Sequence, residues 1–92
     1  MSEQLYNWNI KNSAKKEFKR LDRPVQARII SWLNTNISGS SNPRAWGKAM
    51  QGGPEKLWRY RVGAYRIIAS IDDGLFTVLV VKLGKRGDIY KD

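Results

Sequence analysis

The sequence predicts an α+β fold of two layers, built as an N-terminal strand, a helical hairpin and then a three-stranded antiparallel meander. Three observations predict it. Two segments of helical apolar period follow one another between 13 and 33 with a very short turn between them, and apolar alternation of period two returns from Leu57. Gly63-Ala64 and Asp72-Asp73-Gly74 then punctuate the apolar runs at hairpin spacing. A chain of 92 residues has room for one core, so residues 1–92 are expected to form a single domain.

The elements follow in order. Leu5, Tyr6, Trp8 and Ile10 alternate in part and read as the first strand. Ser13 reads as the N-cap of a helix with Ala14, Phe18 and Leu21 on one side and Lys15, Lys16, Lys19 and Arg20 mostly on the other. Asp22 reads as the cap of a second helix, with Pro24 in the first turn, where its missing N–H costs nothing. Val25, Ile29 and Leu33 recur every fourth residue, and Ile30 and Trp32 widen that stripe.

From Asn34 to Gly53 the pattern dissolves into Ser, Asn, Gly and Pro, a loop carrying Arg44, Trp46 and Lys48. Trp46 has two readings there: it tacks the loop onto the core, or it offers a ring on which a base stacks. Leu57 to Val62 alternates cleanly, with Trp58, Tyr60 and Val62 on one face and Arg59 and Arg61 on the other. Gly63-Ala64 suits a type II′ turn, Tyr65 to Ile71 returns, and Leu75 to Leu83 is apolar on both faces, so it is expected to be the central, most buried strand.

Composition narrows the chemistry. Seventeen Lys and Arg against eight Asp and Glu give a net charge of +9, which favours a polyanionic partner, with nucleic acid first. The 41% apolar content supports a folded domain in spite of a mean hydropathy of −0.55. The chain contains neither His nor Cys, so disulfides and thiolate or imidazole metal ligands are ruled out, and neither a metal site nor a cofactor is expected. No apolar run approaches the roughly 18 residues of a membrane span, and the first nine residues lack a signal-peptide core. A cytoplasmic protein without membrane attachment is expected.

What remains for catalysis is cations, phenols, hydroxyls and a few carboxylates, a set suited to a phosphodiester. Arg59 and Arg61 share a face at spacing two, and Arg66, just past the hairpin turn, is placed to lie close to Arg61 across the ladder. Like charges opposed across a sheet cost a few tenths to about 1 kcal/mol, a conflict that a bound anion would resolve. Lys85 and Arg86 follow the last strand, and Tyr90 lies four residues beyond Arg86.

The run Trp58-Arg59-Tyr60-Arg61-Val62-Gly63-Ala64-Tyr65-Arg66, then Lys82-Leu83-Gly84-Lys85-Arg86 and Asp88-Ile89-Tyr90, resembles the core of the RelE/ParE superfamily of bacterial toxins. Asn42-Pro43-Arg44 and Gly47-Lys48-Ala49 resemble the preceding loop, so the likeness spans nearly the whole chain. It implies a RelE-like fold and a toxin held silent by a cognate antitoxin protein. On the RelE branch it implies a metal-independent endoribonuclease that cuts mRNA in the ribosomal A site beside ribosomal RNA. The catalytic positions it implies are Arg61, Arg66, Arg86 and Tyr90, with Arg59, Lys48, Lys56, Lys85 and Arg44 as RNA-binding cations.

The sequence departs from the RelE pattern, which often has Lys where Arg59 and Arg61 stand, and it lacks the His that several relatives use. Two alternatives stay open: a ParE-like inhibitor of DNA gyrase that cleaves nothing, and a basic RNA- or ribosome-binding module. With only two residues after Tyr90, blocking of the site is expected to come mainly from the partner.

Overall fold

A computed structural model describes residues 4–51 and 56–85. Strand β1 (Asn7–Ile10) leads into helices α1 (Asn12–Lys19) and α2 (Arg23–Asn36). A 3₁₀ turn (Pro43–Ala45) and strands β2 (Lys48–Ala49), β3 (Leu57–Val62), β4 (Tyr65–Asp72) and β5 (Thr77–Lys85) complete the described elements. They form a five-stranded sheet in the order β1-β5-β4-β3-β2. The meander β3-β4-β5 is antiparallel as expected, β1 pairs parallel with β5, and β2 pairs antiparallel with β3.

The helices cover one face of this sheet. Ala14 of α1 and Ile29 and Leu33 of α2, with Ile37 just past its end, are buried against Tyr60, Val62, Ile67, Ala69, Val78, Val80 and Leu83. Each such fully buried aliphatic side chain contributes roughly 1.5–3 kcal/mol. The ring of Trp32 meets that of Tyr60 with centroids 5.1 Å apart, which fixes α2 over β3. Since side chains alternate along a strand, Arg59, Arg61, Arg66 and Ile68 fall on the face opposite the helices. The two-layer reading therefore holds, and it assigns the cations to the uncovered side.

Several local expectations are corrected. Lys11, rather than Ser13, is the N-cap of α1: its N–H is still tied to Val80 O of β5 at 2.8 Å while its carbonyl already accepts from Ala14 and Lys15. The helix thus starts directly from the end of the strand. Asp22 occupies the N-cap of α2, with Arg23 and Pro24 opening the helix, but its side chain makes no capping bond. Ile30 is exposed and lies outside the apolar stripe. Strand β5 is internal but not central: β1 covers its outer side, and β4 holds the middle position with four consecutive buried residues, Arg66 to Ala69. Lys48 belongs to β2 rather than to a loop.

The β3-β4 turn is as expected. Gly63 has φ +61 whereas Ala64 does not have a positive φ, the signature of a II′ rather than an I′ turn. That turn sets the register in which Arg61 faces Arg66.

Candidate functional site

Two successive cation pairs are built into the uncovered face. Lys48 of β2 stands directly opposite Arg59 of β3, and Arg61 of β3 directly opposite Arg66 of β4. These four residues, with Gly47 and Tyr60, line a cleft of about 240 Å³. Arg61 is exposed, Arg59 half-buried, and Arg66 only 7% exposed. This face therefore gathers cations at graded depths, and it suits phosphoryl oxygens, since guanidinium forks match them with paired, charge-assisted hydrogen bonds.

Gly47 is what allows β2 to close this cleft. Its φ of +73 lies in the left-handed region, and a Cβ there would sit 2.1 Å from the Arg59 carbonyl oxygen. No other residue type lets the chain approach β3 so closely. The loop around it is pinned from two sides. The Tyr60 hydroxyl donates to Pro43 O at 2.8 Å, and the Trp58 indole N–H donates to Trp46 O. Burial pushes the Tyr60 phenol well above the ordinary tyrosine range, so it stays protonated and serves as an anchor rather than a proton acceptor. Trp46 remains 45% exposed with its ring edge-on to Trp32, so it does tack the loop to the helical layer.

The other cations singled out in the sequence lie elsewhere. Arg44 is not in the cleft: its guanidinium donates to both oxygens of Asp73, at 2.9 and 3.1 Å, in the turn between β4 and β5. The Tyr6 hydroxyl donates to the same carboxylate at 2.6 Å. Those contacts, the Arg44 guanidinium first, hold the Asp73 carboxyl below the usual carboxylate range, while the Asp73 bond pushes the Tyr6 phenol up. Lys85 pairs with Tyr65 in the sheet register and lines a separate concavity beside the α1-α2 turn. Lys56 borders a third depression with Lys11, Ser70, Leu79 and Val81. Arg86 and Tyr90 lie outside the described residues.

The cleft thus unites Lys48, Arg59, Arg61 and Arg66 from the expected set, and it leaves Arg44, Lys56 and Lys85 apart. Sequence reasoning missed Gly47 and Tyr60 as the residues that shape it. The Gly-Lys step after a Trp was the available signal for Gly47, because a glycine leading into an extended segment marks a close backbone approach. Among the described residues no group of three His, Cys, Asp or Glu could hold a metal ion, and no helix is long and apolar enough to cross a membrane.

Comparison with known proteins adds a family to this geometry. The family described as "ParE toxin of type II toxin-antitoxin system, parDE" matches residues 9–90. The chain is 27% identical to Toxin RelE of Mycobacterium tuberculosis over 86 residues, covering 94% of this chain and 87% of that protein. Its fold is similar to the RelBE2 toxin-antitoxin complex of the same organism, with TM-score 0.80 and 22% identity over 90% of this chain and 100% of that one. It is also similar to the isolated E. coli RelE toxin, with TM-score 0.68 and 24% identity over 92% of this chain and 90% of that one. The archaeal RelE-RelB complex from Pyrococcus horikoshii gives TM-score 0.70 at 21% identity, over 92% and 99% of the two chains.

Proposed function

The chain belongs to the ParE toxin family of type II toxin-antitoxin systems, within the RelE/ParE superfamily, and from that premise we propose that it is a metal-independent endoribonuclease acting on mRNA in the ribosomal A site. The observation that carries the proposal is the opposed pair Arg61 and Arg66 next to the opposed pair Lys48 and Arg59 in one cleft. An RNA strand can break itself when its 2′-hydroxyl attacks the adjacent phosphorus. The enzyme must then take the hydroxyl proton, neutralise charge on the phosphoryl oxygens and protonate the departing 5′-oxygen.

Arg61 and Arg66 clamp the phosphoryl oxygens, and Lys48 and Arg59 hold the flanking backbone. A guanidinium cannot surrender its proton at neutral pH, so position 61 stabilises charge and does not act as base. By the resemblance in the C-terminal residues, Tyr90 takes the hydroxyl proton and Arg86 hydrogen-bonds the departing 5′-oxygen, which takes its proton from water. Silencing falls to a cognate antitoxin, as in the solved RelBE and RelE-RelB complexes of relatives. Acidic and apolar antitoxin residues over the cationic cleft would supply both charge neutralisation and burial.

The experiment is to incubate the purified chain with translating ribosomes and map the new mRNA ends. New 5′-hydroxyl ends opposite 2′,3′-cyclic phosphates or their 3′-phosphate products are expected, undiminished by EDTA at levels that leave ribosomes intact, whereas 5′-phosphate ends would sink the mechanism. Tyr90→Phe keeps the ring and deletes the hydroxyl, and it should lose on the order of 100-fold or more in cleavage. One observation favours a second reading: the matching family description names ParE, whose branch implies gyrase inhibition. A supercoiling assay separates the two, because only a gyrase inhibitor blocks supercoiling while leaving mRNA uncut.

A further inference from the structure

On the helical side of the same sheet end lies an open concavity of about 480 Å³ to which the proposed function gives no role. Arg20 and Lys85 supply cations there, Glu17 and Asp22 supply carboxylates, and Tyr65 and Leu83 supply apolar surface. The ring of Tyr65 is half-buried, while Arg20, Asp22 and Lys85 are exposed. This volume falls within the roughly 300–1,000 Å³ of small-ligand sites. A simple anion would meet both carboxylates and gain little. A ligand with a negative group at one end, a flat apolar body and N–H donors at the other satisfies every side chain of the set.

The concavity is joined to the cationic cleft through the sheet itself. Tyr65 and Arg66 are consecutive and point to opposite faces, and their β5 partners are Lys85 and Gly84. Between the two sites stands the exposed Gly63-Ala64 turn, and the guanidinium of Arg28 lies 3.3 Å from where a Cβ on Gly63 would sit. A polyanionic strand leaving Arg61 and Arg66 over that turn therefore meets a further cation before it reaches Arg20 and Lys85.

We propose that this concavity binds a nucleotide, its base against Tyr65, its phosphate between Arg20 and Lys85, and its base N–H groups donating to Glu17 and Asp22; the continuity with the cleft makes it the nucleotide flanking the cleaved step. The inference rests on the endoribonuclease reading for the source of that nucleotide. A carboxylate accepts from the amino group of cytosine but finds no such exocyclic donor on uracil, so the subsite prefers C to U.

The test is a binding titration of the full chain with labelled, uncleavable 2′-deoxy oligonucleotides of increasing length, and with cytidine monophosphate alone. Affinity is expected to step up about 10-fold once the oligonucleotide is long enough to round the turn, the scale of one stacked base, and more for C than for U at that position. Arg20→Gln and Tyr65→Leu, each checked for an unchanged melting profile, should remove the step. Binding of the free mononucleotide with NMR shifts at Tyr65 and Gly84, and no length step, would keep the nucleotide site and make its source a free nucleotide. Neither a step nor mononucleotide binding overturns the inference. If short oligonucleotides are also indifferent to Arg61→Gln, the cleft reading beneath it fails as well, and the two failures are told apart.

Discussion

Arg44 and Arg61 carry the same side chain and sit toward opposite ends of one sheet. Arg44 meets a carboxylate through two bonds, with a tyrosine hydroxyl completing the set, and this cluster ties the residue just before β1, the loop after α2 and the β4-β5 turn together. Arg61 instead faces Arg66 across the ladder, one step from a second cation pair. The first arrangement stabilises the fold at the expense of any ligand, since its donors are already spent. The second sets one guanidinium opposite another in the ladder, an arrangement suited to receiving an anion between them. What marks a binding cation in this chain is therefore what stands opposite it rather than the residue type or the total charge.

The comparison is broken most strongly at Arg61. Arg61→Gln removes half of an opposed pair, so cleavage should fall about 100-fold or more, the scale of losing one preorganised donor to developing charge. Stability should move the other way, rising by a few tenths to about 1 kcal/mol as the cross-strand repulsion disappears. Ribosome cleavage assays and urea melts on the same preparation read both. Arg61→Lys keeps the charge and loses the fork; it should lower cleavage modestly and leave the pH profile in place. A gain in activity with a new basic limb would instead make position 61 a base site.

Gly47 comes next because it builds the cleft without touching substrate. Placing a side chain at φ +73 costs roughly 1–2 kcal/mol before any contact is counted. The added Cβ then meets the Arg59 carbonyl oxygen at 2.1 Å, so β2 must pull away and carry Lys48 with it. Gly47→Ala should lower both the melting midpoint and cleavage, whereas Arg61→Gln lowers only cleavage. Retention of full cleavage by the alanine variant would remove Lys48 and β2 from the site.

Much of this was legible in the chain because local chemistry and tertiary structure agree. Alternation across 57–62 and the Gly63-Ala64 turn together set the register that opposes Arg61 to Arg66. Helix α2 was legible from Ile29 and Leu33, whose spacing is the core stripe itself. The failures come where long-range pairing decides. A strand of two residues, Lys48–Ala49, has no period to read and exists only because β3 accepts it. Strand β5 was read as central from its apolar run, but centrality depends on β1 pairing beside it and β2 lengthening the far edge. Arg44 looked like a binding cation because nothing in the sequence brings Asp73, 29 residues away, to its side.

A smaller effect is expected from Tyr60, which joins the cleft to the loop. Burial raises its pKa in the folded protein, so the stability linked to its protonated phenol is present below the unfolded value near 10 and is lost as pH rises beyond it. Tyr60→Phe should therefore cost about 1–3 kcal/mol at neutral pH, because the Pro43 carbonyl loses its donor, and it should flatten the alkaline fall in stability. Melts from neutral to strongly alkaline pH compare the two profiles, and parallel profiles would reassign the alkaline limb to other groups.

The smallest effect belongs to Asp73, at the end where the charges are matched. Its folded-state pKa is lowered, first by the Arg44 guanidinium and then by the Tyr6 hydroxyl, so its contribution is present above the unfolded carboxylate value of about 3.9. That contribution disappears as pH falls through the still lower folded value, because a protonated carboxyl no longer repays the guanidinium beside it. Asp73→Asn should lower the melting midpoint by a few degrees at neutral pH, and the gap to the parent chain should close as pH drops well below 4, the region about the ordinary carboxylate value. Both partners are substantially exposed, at 41% and 57% of their side chains, so added salt should narrow the neutral-pH gap as well. Cleavage per folded molecule should not change, since the carboxylate lies outside the cleft. A gap that persists unchanged at low pH would mean that Asp73 acts through the geometry of its two oxygens, which accept from the Tyr6 hydroxyl and the Arg44 guanidinium, and not through its charge.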